Sequence, residues 1–161
     1  MICGFQREWP SQELRAGALP FRKTPDRGTE LLLIRQRSQD VWSVPKGQLM
    51  VGRALHETAA IEAYEEAGVR GAINPAALGS YLHTKRSPKA SFRPHVVEVV
   101  LFLLEVEEVL NQWPEMTLRE RGWFRPRDAI QLVAPGQLRR IFAGLTPAPM
   151  LESELMGAEQ N

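Results

Sequence analysis

An α/β fold in a single domain is what this sequence predicts, and three observations carry the prediction. Strand-type and helix-type periodicity alternate along the chain, one alanine- and glutamate-rich helix lies between strands, and more helix closes the sequence. Leu14 to Phe21 can form a strand, and Pro25-Asp26-Arg27-Gly28 then supplies turn residues. Leu31 to Ile34 is a continuous apolar run short enough for a buried strand, and Val41 to Val44 reads as another, stopped by Pro45. Ala54 to Ala67 is the helix, rich in strong helix formers, with Gly68 where a C-terminal cap belongs. Gly79 to His83 reads as a strand, His95 to Val106 as a long β-branched and leucine-rich one, and Gly122 to Phe124 as a short one. Pro126 opens a helix at the position that tolerates its missing N–H, and Asp128 follows in the first turn. Gln137 to Gly144 reads as a final short helix.

Length and composition set the class. The 161 residues fit one domain with a sizeable core, and 43% hydrophobic with 24% charged residues is ordinary for a globular protein. No apolar run approaches the roughly 18 residues that a membrane span needs. Met1 to Pro10 has no apolar core of signal-peptide length, and Ile2 excludes N-myristoylation. Cys3, the single cysteine, gives neither an internal disulfide nor a multi-cysteine zinc site. A cytoplasmic protein with no membrane partner is therefore expected. A net charge of +1 gives no sign of a nucleic-acid partner. The charge is unevenly spread, however: Lys85, Arg86, Lys89 and Arg93 occur with no acid among them. Such a loop suits a compact anion, though charge alone fits a solvated loop equally well.

The chemistry concentrates between Pro45 and Val69. At about 100° per residue, Glu62, Glu65 and Glu66 fall within an arc of roughly 100° on the helix. Three carboxylates so close repel one another unless cations sit among them, and oxygen-only donors favour magnesium or manganese. Ala59, Ala60, Ala63 and Ala67 form a small-residue stripe on the other face, which lets the helix press against a sheet. Helix and sheet together would make a rigid platform for metal ligands. Glutamates alone fit a solvated surface helix as well; the spacing decides.

That spacing resembles the Nudix box, whose pattern is Gly, five residues, Glu, seven residues, then Arg-Glu-U-x-Glu-Glu-x-Gly-U, with U apolar. Gly47, Glu62, Ala63, Glu65, Glu66, Gly68 and Val69 fall in register. Two positions depart: Arg53 replaces the box glutamate and Ile61 the box arginine. An arginine at 61 would supply countercharge to the carboxylates, so its loss leaves the site weaker or more dependent on bound cation. Losing an acid and a base together is consistent with a lost ion pair, the metal site being kept.

Outside the box, Ala18-Leu19-Pro20-Phe21-Arg22, Val41 to Gly47, Arg93-Pro94-His95-Val96, Gly122-Trp123-Phe124 and Asp128-Ala129-Ile130 are similar to one branch of the family. It comprises diphosphoinositol polyphosphate phosphohydrolases and diadenosine polyphosphate hydrolases, and the similarity covers about residues 14–143. It implies a Nudix-type α/β/α sandwich with a mixed β-sheet over residues 11–145, a flexible start at 1–10 and a disordered tail at 146–161. By the same resemblance Glu65 and Glu66 coordinate Mg2+ or Mn2+, Glu62 serves as ligand or general base, and the Gly47 carbonyl completes the set. Glu120, Glu115 and Glu98 are candidates for a further acidic ligand. Arg93 and His95 match a phosphate-contacting motif, as does Arg119 or Arg121 ahead of the Trp-Phe pair. Arg22, Arg35 and Arg37 could extend that ring, since guanidinium forks suit phosphate geometry. Trp42 and Trp123 are assigned to packing.

The expected function is metal-dependent hydrolysis of a phosphoanhydride bond in a small polyphosphorylated partner. Two alternatives remain open at this point. One is a non-catalytic nucleotide sensor, favoured by Arg53 and Ile61; the other is a nucleoside triphosphate or nucleotide-sugar pyrophosphohydrolase.

Overall fold

A computed structural model describes residues 13–85, 95–134 and 136–145. The expected flexible start and disordered tail, and the basic residues Arg86, Lys89 and Arg93, lie outside the described residues. The elements run β1 (Glu13–Thr24), β2 (Gly28–Gln36), β3 (Lys46–Gln48), α1 (Leu55–Ala67), β4 (Val69–Lys85), β5 (His95–Val109), β6 (Arg119–Phe124), α2 (Pro126–Leu132) and α3 (Gln137–Leu145). The strands form one sheet in the order β4-β5-β1-β2-β6. β1 and β5 run parallel, and the other pairs are antiparallel, so the sheet is mixed. Among the described residues no helix is long and apolar enough to cross a membrane.

Strand alternation sends successive side chains to opposite faces and builds two cores. On one face Ala16, Ala18, Leu32, Ile34, Phe102 and Leu104 pack against Ala59, Ala63 and Ala67 of α1. The alanine stripe does what its size allows: all three helix alanines are fully buried, and the helix lies close on the sheet. On the other face Leu19, Leu31, Leu33, Val97, Val99 and Leu101 meet Ala129 and Val133 around α2, and Leu138 and Phe142 of α3. The result is the expected α/β/α sandwich.

The edge of β1 is shared. Its first part, Arg15 to Gly17, pairs with β3, while Phe21 to Thr24 pairs with β2. Val41 to Val44, expected as a strand, is not one: Trp42 and Ser43 make only isolated bridges, to Val133 and Ile34. Pro45 has no N–H to give a ladder, and its carbonyl accepts from Ala18 at 3.0 Å, so regular pairing starts only at Lys46. The apolar residues there are Val44, buried, Trp42, half-buried, and Val41, exposed, without a strand. β4 is longer than Gly79 to His83, because the long β5 ladders with it through register shifts that absorb Gly71 and the Asn74-Pro75 step.

Candidate active site

α1 starts at Leu55 with Glu57 accepting the N–H of Ala54 at 2.8 Å, half of a capping box. It stops where Gly68 takes the left-handed conformation, φ 64°, and returns its N–H to the last turn. Arg121 from β6 finishes that end. Its guanidinium donates to the carbonyls of Ala67 at 2.8 Å, Gly68 at 3.1 Å and Leu110 at 2.7 Å, and lies 4.0 Å over the Trp113 ring.

With the helix fixed at both ends, its glutamates meet β3, the short strand that follows Pro45. Gly47 lies directly against the Glu62 carboxylate, with no room for a Cβ between them. Glu66, buried, accepts the backbone N–H of Lys46 at 3.0 Å and the guanidinium of Arg119. Arg119 also donates to Glu115 at 2.9 Å, and the N–H of Glu115 bonds the Glu65 carbonyl at 3.0 Å, which ties the preceding loop to the helix. Burial, followed by the charges of Glu66, Glu65 and Glu115, pushes the Glu62 carboxyl up to about 7. Burial raises Glu66 as well, against the opposing pull of Arg119 and Lys46.

Beside these acids opens a groove of about 1360 Å³, bordered by Lys46, Glu66 and Arg119 at one end and by His83, His95 and Gln137 at the other. Arg15 and Arg35 also line it. Glu13 bridges two of its lining side chains, 2.5 Å from Arg15 and 2.6 Å from His95. Arg35 is held by Glu120 at 2.8 Å and stacks 4.9 Å from Trp42, whose own ring meets Phe124 edge-on.

The structure thus brings Gly47, Glu62, Glu66 and Arg119 together, sets Arg35 and His95 along the groove, and leaves Arg37 exposed, donating to the Met116 carbonyl. Three of the expected phosphate contacts, Arg22, Arg37 and Arg121, do not line the groove. Arg121 is bound to the end of α1, and Arg22 is seven strand residues beyond Arg15, roughly 23 Å away at strand spacing. Arg22 pairs with buried Glu30 at 2.8 Å and covers Trp123. Of the three further acids, only Glu115 joins the cluster; Glu120 is turned to Arg35 and Glu98 to Ser80. Arg15 and the Lys46 N–H were missed, and only the long-range pairing of β1 with β3 could have revealed them.

Among the described residues no three acidic or histidine side chains converge tightly enough to cage a metal alone. The donor set still fits magnesium, which takes one or two carboxylates and completes its shell with water and substrate phosphate oxygens. Glu62 and Glu66 meet β3 at Gly47, and such an ion would offset the burial and like-charge repulsion that raise both carboxyls.

Sandwich, glycine-closed helix and acid cluster define a protein of the Nudix hydrolase class. A family model described as NUDIX domain matches residues 13–144, and the chain belongs to the Nudix hydrolase family. It is 33% identical over 136 residues to Nudix hydrolase 16, mitochondrial, of Arabidopsis thaliana, covering 78% of this chain and 75% of the relative. It is 32% identical over 143 residues to diphosphoinositol polyphosphate phosphohydrolase 2 of Homo sapiens, covering 83% of this chain and 73% of that protein. The share of the relative covered falls to 51% for Nudix hydrolase 12, mitochondrial, of Arabidopsis thaliana. Among solved structures, a C. elegans Ap4A hydrolase binary complex superposes with TM-score 0.60 at 19% identity, over 90% of this chain and 98% of that one, a likeness of fold.

Proposed function

We propose that this chain is a divalent-metal-dependent hydrolase of phosphoanhydride bonds, acting on a dinucleoside polyphosphate or a diphosphoinositol polyphosphate. The observation that carries the proposal is the meeting of Glu62 and Glu66 at Gly47, on the rim of a long groove that cations line. A groove of about 1360 Å³ exceeds the roughly 300–1,000 Å³ of ordinary small-ligand sites, which suits an elongated substrate. The names of the human and nematode relatives point to the same two substrate types.

Glu66, Glu65 and the Gly47 carbonyl would hold the metal, which when bound neutralises anhydride oxygens and acidifies a water ligand. Glu62 is suited to take the proton of the attacking water, because a carboxyl that titrates near neutrality is an effective base there. Lys46, Arg35 and His95 would orient the polyphosphate along the groove. A cytoplasmic location belongs to the same proposal, against plant relatives named mitochondrial, and fractionation of cells expressing the full chain decides it.

The test is phosphate release with magnesium or manganese from diadenosine polyphosphates, diphosphoinositol polyphosphates, nucleoside triphosphates and ADP-ribose, beside Glu66→Gln. Turnover that disappears in the variant supports the proposal and selects the substrate. Tight binding without turnover, unchanged in Glu66→Gln, replaces it with the sensor reading that Arg53 and Ile61 favour.

A further inference from the structure

The acid cluster lacks the arginine that the box motif carries at position 61, and four carboxylates, Glu62, Glu65, Glu66 and Glu115, nevertheless crowd one end of the groove. A guanidinium sits among them all the same. Arg119, the first residue of β6, donates through one terminal nitrogen to Glu66 and through Nε to Glu115 at 2.9 Å. Strand alternation puts Arg119 on the same side of β6 as Arg121 and Trp123, the side that α1 covers. The other partner of the Glu66 carboxylate is a backbone N–H, that of Lys46. Arg53, the second departure from the motif, is exposed in the loop before α1.

We propose that Arg119 takes over, from β6, the countercharge that position 61 no longer supplies, as a positioning residue that holds Glu66 and Glu115 in register. A planar fork can bond two carboxylates at once, which a lysine at the same place cannot do with fixed geometry. Two of the guanidinium nitrogens are already committed to acids, so Arg119 shapes the acids before it meets any substrate. Position 61 lies at the edge of the glutamate arc on the helix, so an arginine restored there reaches the same charges. The two positions are therefore alternative sources of one interaction.

The kinetic part of the test rests on the proposed hydrolase activity; the thermal part does not. Melting temperatures are measured in EDTA for the parent, Arg119→Ala, Ile61→Arg and the double variant. Arg119→Ala is expected to melt roughly 5 °C lower. Ile61→Arg is expected to raise the melting temperature more in the Arg119→Ala background than in the parent. With magnesium and the preferred substrate, Arg119→Ala lowers kcat about tenfold with KM within about twofold, and Ile61→Arg returns part of the loss. Equal stabilisation by Ile61→Arg in both backgrounds overturns the proposal. A raised KM with unchanged kcat also overturns it, because that pattern marks a direct phosphate contact. Should Arg119→Ala fail to fold, Arg119→Lys replaces it in the same comparison, and the same two outcomes overturn the proposal. If the parent turns over no substrate, the hydrolase reading fails, and the melting comparison alone decides the role of Arg119.

Discussion

Replacing Gly47 by alanine separates the site from the fold. A Cβ built at position 47 falls 2.5 Å from Oε2 of Glu62 and closer still to the rest of its carboxylate, against a floor of 3.0 Å for real contacts. The backbone is under no constraint there, since Gly47 is not among the glycines with positive φ. What must give is the far end of one glutamate, which has to retreat by roughly 1 Å, and a displacement of that size in a catalytic group costs about a hundredfold in rate. The fold loses little. A flexible carboxylate moves into the groove for less than about 1 kcal/mol, and the reduced entropy of the unfolded chain offsets about 0.4–1 kcal/mol. Gly47→Ala should therefore melt like the parent while kcat falls about a hundredfold in a phosphate-release assay with magnesium. Gly52→Ala is the opposite control. Its φ of 75° strains any side chain, although nothing lies within 4 Å of a Cβ, so stability falls by about 1–2 kcal/mol and turnover persists. Turnover of Gly47→Ala within about threefold of the parent would refute the placement of Glu62 in the chemistry.

Arg121→Ala removes three hydrogen bonds from the end of α1 and the stacking on Trp113, and should cost about 3 kcal/mol in chemical denaturation; a loss under about 1 kcal/mol contradicts the capping role. Because the folded Glu62 carboxyl is raised from 4.5 to about 7, the native state binds its proton more tightly than the unfolded chain. That contribution to metal-free stability is complete below about pH 4.5 and is lost as pH rises through 7. Half-exposure and screening reduce the nominal 3 kcal/mol to about 1 kcal/mol. The parent should thus weaken relative to Glu62→Gln between about pH 5 and 8, and a difference that does not change with pH contradicts it. Magnesium at a hundred times its Kd should add about 2.7 kcal/mol by linkage, and Glu66→Gln should abolish most of the rise. A full rise in that variant would move the metal elsewhere.

The shared face of the helix glutamates was legible in the sequence because helical spacing is local, about one turn of chain, whereas Gly47 came from the resemblance to the Nudix box. The alanine stripe was legible for the same reason, and its burial against Ala16 and Ala18 followed. The arginines were not. Arg22, Arg119 and Arg121 read alike as candidate phosphate contacts, and what separates them is which strand lies beside which, settled by β1 pairing with β3 and β5 and by β2 pairing with β6. Arg22 and Glu30 meet across a hairpin register, and Arg119 reaches Glu66 across 53 residues of chain. Val41 to Val44 failed differently: Trp42 and Val44 reach the core while Val41 is exposed, and Pro45 withholds the donor a ladder requires.

The division of one edge of β1 between two partners has an evolutionary reading. The carboxylates of α1 meet the backbone of β3 at Lys46 and Gly47, whereas the far wall of the groove comes from the end of β4, the start of β5 and the start of α3. Wall residues such as His83 and Gln137 can therefore drift toward a new leaving group while the hydrolytic half stays unaltered. Descendants of such a scaffold would diversify by exchanging one half at a time.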